Sequence, residues 1–363
     1  MKDQIRLIRP YLDFSAVEAD FREIFESGIF TKGQHTEALR AELATYVGTS
    51  HAFLTTSATT ALSTSLKILG IRAGDEVVVS DFSFPATANV VEDLGAKPVF
   101  ADVSLESFNM LSEELSRKIS SKTKAVIFVD VFGNPSGIHT ARAVCDARGI
   151  PLIEDAACAI GSSERGLRCG AIADLTCFSF HPRKLLTAGE GGAITTSRAD
   201  LAERLAIKLN HGAVAGAITS EFVDYGYNFR LTELQAAMVR KQLPGLDQIC
   251  LERNETYRRY RERLEPLGFK SQKIGADARY NVQSAVFRVP DGWDRDSLIR
   301  FLKEKNIEST IGTYCQSGTP YYSRKYSDVQ PNSLLLQQTT LTLPCYRGVP
   351  ESAICNQIAR FKP

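Results

Sequence analysis

Long apolar runs and net charge are both scarce in this sequence of 363 residues. No stretch of about 18 consecutive apolar residues occurs, which argues against a membrane-spanning helix. The 43 lysine and arginine residues nearly balance the 42 aspartate and glutamate residues, and the formal charge is +1. Without an overall positive field, nucleic acid and anionic membranes are not expected partners. Any anionic ligand would have to be held by a local site.

Common metal-binding and nucleotide-binding motifs are also missing. There are five histidines, and the eight cysteines form no C-x-x-C pair, so no metal site is expected. No G-x-G-x-x-G segment follows a strand, and there is no phosphate-binding loop, H-E-x-x-H or G-x-S-x-G pattern. Several cysteines lie in apolar runs, and the N-terminal stretch has no apolar signal-peptide core. A reduced, cytoplasmic protein is therefore expected.

Short apolar runs alternate with helix-like segments between about residues 50 and 200. The runs are rich in Val, Ile and Phe, which is typical of strands covered on both faces. They lie at 51–54, 76–80, 97–103, 124–133, 150–157, 175–181 and 192–197. This alternation predicts an α/β domain with crossover helices, in which ligands bind beyond the carboxyl ends of the strands.

The pattern changes beyond residue 230. A long, charge-rich helix is predicted from Leu231 to about Arg263, followed by a strand at 284–289 and an amphipathic helix at 294–306. We therefore predict a large α/β domain over residues 1–245 and a smaller α+β domain over residues 246–363.

Three polar segments each follow a strand-like run. Ser57-Ala58-Thr59 opens a helix, where free N–H groups could hold an anion, although an ordinary helix cap explains the same residues. The pair Glu154-Asp155 closes a strand and is costly to bury without a positive partner. Lys184 follows another strand and precedes the glycines of residues 189–192, which allow a close backbone approach. Taken alone, such a lysine is more often a solvated surface residue.

Together these segments fit one ligand, an aldehyde cofactor with a phosphate tail and a ring nitrogen. A lysine would form the Schiff base, a carboxylate would keep the ring nitrogen protonated, and a helix N-terminus would take the phosphate. That combination describes pyridoxal 5′-phosphate. Ala157 could leave flat space beneath the ring, and Phe84 could stack above it.

The same segments resemble, in order, the motifs of the DegT/DnrJ/EryC1/StrS family of pyridoxal-phosphate-dependent sugar aminotransferases. Residues 28–33 resemble the family's G-x-x-T-x-G opening, and residues 73–103 resemble one long family block. The segments VFGNPSGI, IEDAACAIGSS, FSFHPRK, GEGG and YGYNFRLTELQAA follow in family order. The resemblance implies fold type I, with a large, mostly parallel seven-stranded sheet domain and a smaller α+β C-terminal domain.

The resemblance also implies roles for individual residues. Lys184 is expected to be the Schiff-base lysine that moves the proton, and Asp155 to pair with the pyridine nitrogen. The expected cofactor-binding residues are Ser57, Ala58, Thr59, Phe84, Asp155, Ala157, Cys158, Ser179, Lys184 and Asn228. Asn228 would reach a phosphate across the subunit interface, which implies a homodimer with shared active sites. The expected substrate-cleft residues are Thr31, Gly33, His181, His211 and Tyr314.

The implied reaction transfers an amino group from L-glutamate to a keto-sugar on a nucleotide carrier, for cell-surface polysaccharide or natural-product sugars. One alternative is a sugar dehydratase of the same family, in which histidine replaces the lysine. Another is a cofactor-binding regulatory protein without turnover. Lys184 argues against the first alternative, and the intact pair of Lys184 and Asp155 argues against the second.

Several residues depart from the family pattern. Cys158 stands where Gln or His is usual beside the cofactor's phenolic oxygen, and a thiol is a weak hydrogen-bond partner. Ala58 replaces the usual Gly, and Asn134 the usual Gln. The segments NVQSAVFRV and IGTYCQSGTPYY also differ, in the half where the substrate-binding residues cluster. The identity of the acceptor sugar is therefore left open.

Overall fold

The structure is a computed structural model that describes residues 4–362. Its largest sheet has seven strands in the order β1-β7-β6-β5-β4-β2-β3, and only β7 runs against the others. The strands are β1 (His51–Thr55), β2 (Glu76–Ser80), β3 (Lys97–Ala101), β4 (Thr123–Val129), β5 (Leu152–Asp155), β6 (Leu175–Ser179) and β7 (Gly192–Thr196).

Helices cover both faces of this sheet, which explains the unbroken apolar runs. In β2, Val77 and Val79 pack against one helical layer, whereas Val78 packs against the other. The helices of this part are α1 (Phe14–Ser27), α2 (Gln34–Val47), α3 (Ala58–Ile68), α4 (Ala86–Asp93), α5 (Ser112–Lys118), α6 (Ile138–Asp146), α7 (Ala199–Lys208) and α8 (Glu233–Gln242), with a short 3₁₀ turn at Val131–Gly133. The predicted α/β architecture with a mostly parallel seven-stranded sheet is confirmed.

The single long helix predicted from Leu231 is in fact two helices. Helix α8 ends at Gln242, a 3₁₀ turn spans Leu243–Gly245, and α9 covers Leu246–Leu264 before a second 3₁₀ turn at Glu265–Leu267. The break falls at Pro244, which has no N–H to donate and whose ring clashes with the preceding turn of a continuous helix. The Pro-Gly dipeptide in the sequence was the signal for this break.

The C-terminal residues form a second, antiparallel sheet with its own core. Its strand order is β8-β9-β11-β10, and α9, α10 and α13 pack around it. The elements are β8 (Lys270–Ser271), β9 (Ala285–Arg288), α10 (Arg295–Glu304), β10 (Thr310–Ile311), α11 (Pro320–Tyr326), α12 (Pro331–Thr339), β11 (Thr340–Leu343) and α13 (Glu351–Ile358). Two-residue or three-residue strands lie at Phe82–Ser83, Ser163–Glu164, Leu167–Arg168, Ala213–Ala215, Ser220–Phe222, Ala278–Arg279 and Tyr314–Cys315.

Several segments connect the C-terminal residues to the rest of the chain, among them residues 278–279, which pair with residues 163–164. Ile5 bridges to Ile307 near the C-terminal sheet, and residues 314–315 pair with residues 82–83 beside the large sheet. Residues 1–3 and 363, the outer ends of the predicted domains, lie outside the described residues. The division into residues 1–245 and 246–363 stays a prediction.

The sequence predicts reduced cysteines and no membrane-spanning helix. All eight cysteines are unpaired, and seven of them are buried. Within residues 4–362, none of the helices combines the length and the apolar character that crossing a bilayer requires. The cytoplasmic location stays a prediction.

Candidate active site

The predicted site residues gather where strands of the large sheet end. Gly192, at the start of β7, pairs with Thr55 at the end of β1 and with Ser179 at the end of β6. Asp155 is the last residue of β5, the next strand. Because β7 runs the opposite way, its first residue lies at the edge where the others end. The sheet therefore brings Ser57, Asp155 and Ser179 to one edge.

The N-terminus of α3 is open at this edge. Ser57 caps the helix: its Oγ accepts from the N–H of Thr60 at 3.1 Å, and Thr60 Oγ1 accepts from the N–H of Ser57 at 3.0 Å. The N–H groups of Ala58 and Thr59 belong to the first helical turn and have no acceptor within the helix. A positive helix end with free N–H groups suits an anion. Thr60 is not among the expected cofactor-binding residues, although a polar residue three positions after Ser57 is the signature of a capping box.

Gly192 lets the sheet edge and the helix start approach each other closely. A Cβ atom at this position would lie 2.5 Å from the carbonyl carbon of Ser57 and 2.7 Å from the nitrogen of Ala58. Such distances are far below van der Waals contact, so any side chain here would displace the start of α3. The glycine therefore keeps a small cradle in which Ser179 lies beside the helix N-terminus.

Asp155 is a buried carboxylate with two hydrogen-bond donors. Thr87 Oγ1 donates to Oδ2 at 2.9 Å, and the N–H of Ala157 donates to Oδ1 at 3.2 Å. Burial raises the pKa of Asp155, while these two hydrogen bonds and the positive charge of Lys184 oppose that rise. The carboxylate is thus placed where a protonated ring nitrogen would offset the cost of its burial.

A chain of buried side chains continues behind Asp155. Ser83 Oγ lies 3.2 Å from Thr87 Oγ1 and donates to it, and Gln316 Nε2 donates to Ser83 Oγ at 2.5 Å. Gln316 Oε1 in turn accepts from the N–H of Ala88 at 3.1 Å. None of these partners was predicted. Within the segment 82–89 the sequence predicts a site residue only at Phe84, and nothing in the sequence pairs this segment with residue 316.

Lys184 and Cys158 face each other at the same edge. Lys184 Nζ lies 2.9 Å from Cys158 Sγ, and both side chains are half-buried. Lys184 sits in a tight turn, since its N–H donates to the carbonyl of His181 at 2.8 Å. The structure therefore brings together Lys184, Asp155, Cys158 and Ala157, as predicted, while their roles remain predictions.

The predicted aromatic and histidine positions lie at the outer side of this edge. The Phe84 side chain is 67% exposed, and its ring centroid is 6.4 Å from that of Tyr314. His181 Nε2 lies 4.0 Å from Glu190 Oε1, and its backbone N–H is 3.4 Å from Ser179 Oγ. Burial lowers the pKa of His181, an effect that the Glu190 carboxylate opposes. Phe84 and Tyr314 leave an exposed aromatic surface at this edge.

The remaining predicted residues have other partners or are exposed. Gly33 donates its N–H to Glu233 Oε1 at 2.9 Å, which identifies a structural contact at the start of α2. His211 Nε2 lies 2.6 Å from the guanidinium of Arg230. Thr31 and Asn228 are exposed. Among the described residues of one chain, no hydrogen bond joins any of these four residues to Lys184 or Asp155.

A second acidic group adds the unpredicted Asp130 to Glu154, on the face of β5 opposite to Asp155. The carboxyl oxygens of Asp130 and Glu154 and the sulfur of Cys169 lie within 4.8 Å of one another, and all three side chains are buried. Burial, together with the neighbouring Glu154 carboxyl, raises the pKa of Asp130 well above its ordinary value. Burial also raises the pKa of Glu154, although Thr176 and Gly170 donate hydrogen bonds to it. The pair is therefore expected to retain a proton that separated carboxylates would lose.

Comparison with known proteins assigns the chain to a family. Residues 15–360 match the model of the DegT/DnrJ/EryC1/StrS aminotransferase family. The chain is similar to GDP-perosamine synthase of Vibrio cholerae, with 31% identity over 347 residues that cover 93% of this chain and 94% of that protein. It is also similar to the spore coat polysaccharide biosynthesis protein SpsC of Bacillus subtilis (strain 168), with 31% identity over 92% of this chain and 90% of that protein.

A solved structure agrees with these matches. A DegT DnrJ EryC1 StrS aminotransferase from Brucella abortus has 30% identity and a TM-score of 0.88, over 96% of this chain and 95% of that one. The chain therefore belongs to the DegT/DnrJ/EryC1/StrS aminotransferase family and is an aminotransferase, and the resemblance seen in its motifs is confirmed. Membership in this family implies pyridoxal phosphate as the cofactor.

The residues at the strand ends fit that cofactor. A phosphate suits the free N–H groups of Ala58 and Thr59 and the cradle that a Cβ at Gly192 would fill. A ring nitrogen that carries a proton suits the buried Asp155 carboxylate, and an aldehyde suits the amine of Lys184.

Proposed function

We propose that this chain is a pyridoxal-phosphate-dependent aminotransferase that moves an amino group from L-glutamate to a keto-sugar carried on a nucleotide. The observation that supports the proposal most directly is the grouping of Lys184 and Asp155 at one sheet edge, beside the open N-terminus of α3. A dehydratase of this family is disfavoured because the lysine is present.

Each part of the cofactor has a complementary group in the chain. Pyridoxal phosphate, when bound, supplies an aldehyde that condenses with amines and a ring that accepts an electron pair from the substrate carbon. Asp155 holds a proton on the ring nitrogen, because a buried carboxylate is stabilised by an adjacent positive charge. Ser57, Ser179 and the N–H groups at the start of α3 bind the phosphate.

Lys184 moves the proton in the transfer. With the cofactor bound, its Nζ would take a proton from the substrate carbon that bears the amine and would return one to the carbon that receives the amine. The turn from His181 to Lys184 keeps the amine at the sheet edge, where it can act on both atoms. Cys158 Sγ lies 2.9 Å from Nζ and orients the amine.

A homodimer completes the site in this proposal. Asn228 is exposed and forms no hydrogen bond to Lys184 or Asp155 within the described chain. An asparagine that reaches the phosphate of a partner subunit's site would be exposed in the single chain and would not contact the lysine and aspartate of its own chain. Exposed aromatic side chains at Phe84, Phe25 and Phe30 supply apolar surface for a partner copy.

The nucleotide-linked sugar is proposed from the relatives. One is named for the synthesis of GDP-perosamine and another for spore coat polysaccharide biosynthesis. Both names concern sugars, and the first concerns a sugar joined to a nucleoside diphosphate. We therefore place the acceptor among nucleotide-linked keto-sugars.

A two-stage experiment tests this function. Purified protein loaded with pyridoxal phosphate is first incubated with L-glutamate alone, and the cofactor is released and separated by chromatography. Conversion to pyridoxamine phosphate with an equal amount of 2-oxoglutarate is expected. Lys184→Ala should lose this conversion, while the exposed control Lys273→Ala should keep it.

The second stage identifies the acceptor. The pyridoxamine-loaded protein is mixed with a panel of nucleotide-linked keto-sugars, and the amino products are detected by mass spectrometry. Loss of water from a sugar instead of gain of an amine would favour the dehydratase. Tight binding of the cofactor without conversion by any amino donor would favour the regulatory protein.

A further inference from the structure

A short segment of the C-terminal part contacts the turn that carries Lys184. Gln283 lies two residues before β9, and its side chain is buried. Its Oε1 accepts from the N–H of Leu185 at 3.1 Å, and its Nε2 donates to the carbonyl of Arg183 at 2.6 Å. The amide therefore binds the backbone on both sides of Lys184.

Asn281 makes the matching contacts on the loop that carries Cys158. Its Nδ2 donates to the carbonyls of Cys158 and Ile160, each at 2.8 Å, and its Oδ1 accepts from the N–H of Gln283 at 2.9 Å. The fit is close, because a Cβ at Gly133 would overlap Asn281 Oδ1 at 1.9 Å. Asn281 and Gln283 are thus joined to each other and to both loops.

The backbone between these two side chains is itself firmly held. Val282 adopts a φ of +54°, a conformation that a β-branched residue rarely takes without support from its surroundings. The buried guanidinium of Arg253 donates to the carbonyl of Val282 at 2.7 Å and to that of Gln283 at 2.9 Å. A third hydrogen bond joins Arg253 to the carbonyl of Cys345.

We propose that Asn281 and Gln283 are positioning residues that fix Lys184 against Cys158 at the correct distance for the cofactor. This inference rests on the proposed function, in which Lys184 receives the aldehyde. Hydrogen bonds to Arg183 and Leu185 leave the lysine backbone little freedom, and a misplacement of about 1 Å at a reacting group is costly. We name residues 281–283 the lysine clamp.

The first test measures cofactor affinity. We compare the wild type, Gln283→Ala and Gln272→Ala by titrating the cofactor-free full chain with pyridoxal phosphate. Gln272 is a matched control, because it is buried and its Nε2 also donates to two backbone carbonyls, those of Ser107 and Val131. Gln283→Ala should raise the Kd at least about tenfold, whereas Gln272→Ala should leave the Kd unchanged while lowering thermal stability to a similar extent.

The second test does not depend on the cofactor. The N–H of Leu185 donates to Gln283, so hydrogen exchange at this amide should accelerate at least about tenfold in cofactor-free Gln283→Ala and not in Gln272→Ala. If the wild type does not bind pyridoxal phosphate, the proposed function fails. The exchange rate at the Leu185 amide still shows whether the lysine clamp holds the backbone beside Lys184.

Two conservative variants keep the inference testable if Gln283→Ala does not fold. Gln283→Glu keeps the acceptor for Leu185 but places a second acceptor against the carbonyl of Arg183, so its Kd should exceed that of the wild type. Asn281→Asp loses both donors to residues 158 and 160 and should also weaken binding. Wild-type affinity in these variants, or an equal loss in Gln272→Ala, would overturn the positioning role.

Discussion

Removing the Thr87 hydroxyl should show how strongly its hydrogen bond stabilises the Asp155 carboxylate. Thr87→Val preserves the shape of the side chain, and Ser83 Oγ, which donates to Thr87, can donate instead to the carbonyl of Phe84 at 3.2 Å. The substitution therefore leaves no unpaired donor. Asp155 loses one of its two hydrogen bonds and keeps only the N–H of Ala157.

The magnitude follows from the charge of the acceptor. A hydrogen bond to a charged group contributes about 1.5–3 kcal/mol, against about 0.5–1.5 kcal/mol for a neutral pair. We expect the cofactor-free protein to lose about 2 kcal/mol of unfolding free energy when Asp155 is ionised. The cofactor should also bind more weakly, because Asp155 would be less often ionised.

The effect should depend on pH in a defined direction. Burial raises the pKa of Asp155 in the folded protein above its value in the unfolded chain. The Asp155 carboxyl group therefore contributes to stability at low pH, and this contribution is lost as the pH rises through the folded pKa. Thr87 opposes the loss by stabilising the carboxylate. The cost of Thr87→Val should therefore be larger at about pH 8 than at about pH 5.

Urea denaturation of the cofactor-free protein at the two pH values measures this difference. Thr64→Val is the matched control, because the buried Thr64 hydroxyl donates to the backbone carbonyl of Thr60 at 2.7 Å and not to a titrating group. Its cost should be about 1 kcal/mol and independent of pH. The reasoning is refuted if Thr87→Val shows the same cost at both pH values, or no greater pH dependence than the control.

Three further substitutions test other parts of the structure by the same denaturation assay. Asp130→Asn should stabilise the protein, and more so at about pH 8 than at about pH 5. The folded pKa of Asp130 lies well above its ordinary value, so the carboxyl group costs stability as the pH rises, and the amide does not. A stabilisation that is independent of pH, or a loss of stability, would contradict a proton shared between Asp130 and Glu154. Gly33→Ala should cost about 1–2 kcal/mol, since its Cβ would meet Glu233 Oε2 at 2.7 Å, and no loss would show that the carboxylate moves freely. Arg253→Met should cost at least about 3 kcal/mol, because three buried carbonyls lose their donor; a loss below about 1 kcal/mol would mean that these carbonyls find other partners.

The strand-end residues could be predicted because they depend on local order along the chain. Each apolar run indicates a strand, and the next polar residue lies at the sheet edge, so Ser57, Asp155 and Lys184 were accessible from the sequence. The start of α3 also carries its own signal, a Ser and a Thr in capping-box spacing. The break at Pro244 was also marked locally, by the Pro-Gly dipeptide, but was overlooked.

The supporting residues could not be predicted in this way because they come from distant segments. Gln316 reaches Ser83 across 233 positions, and Gln283 reaches Leu185 across 98. Such contacts depend on how the C-terminal sheet packs against the strand ends, and hydrophobic periodicity carries no information on that packing. The departure of the segment NVQSAVFRV from the family pattern was visible, but its hydrogen bonds to Arg183 and Leu185, on either side of Lys184, were not.

Chemical trapping of the cofactor tests the central claim most directly. Pyridoxal phosphate is added to the wild-type chain, the mixture is reduced with borohydride, and the peptides are mapped by mass spectrometry. We predict one covalently attached cofactor per chain, located on Lys184, and none in Lys184→Ala. Attachment at a different lysine, or no attachment to the wild type, would contradict the assignment of Lys184 as the residue that receives the aldehyde.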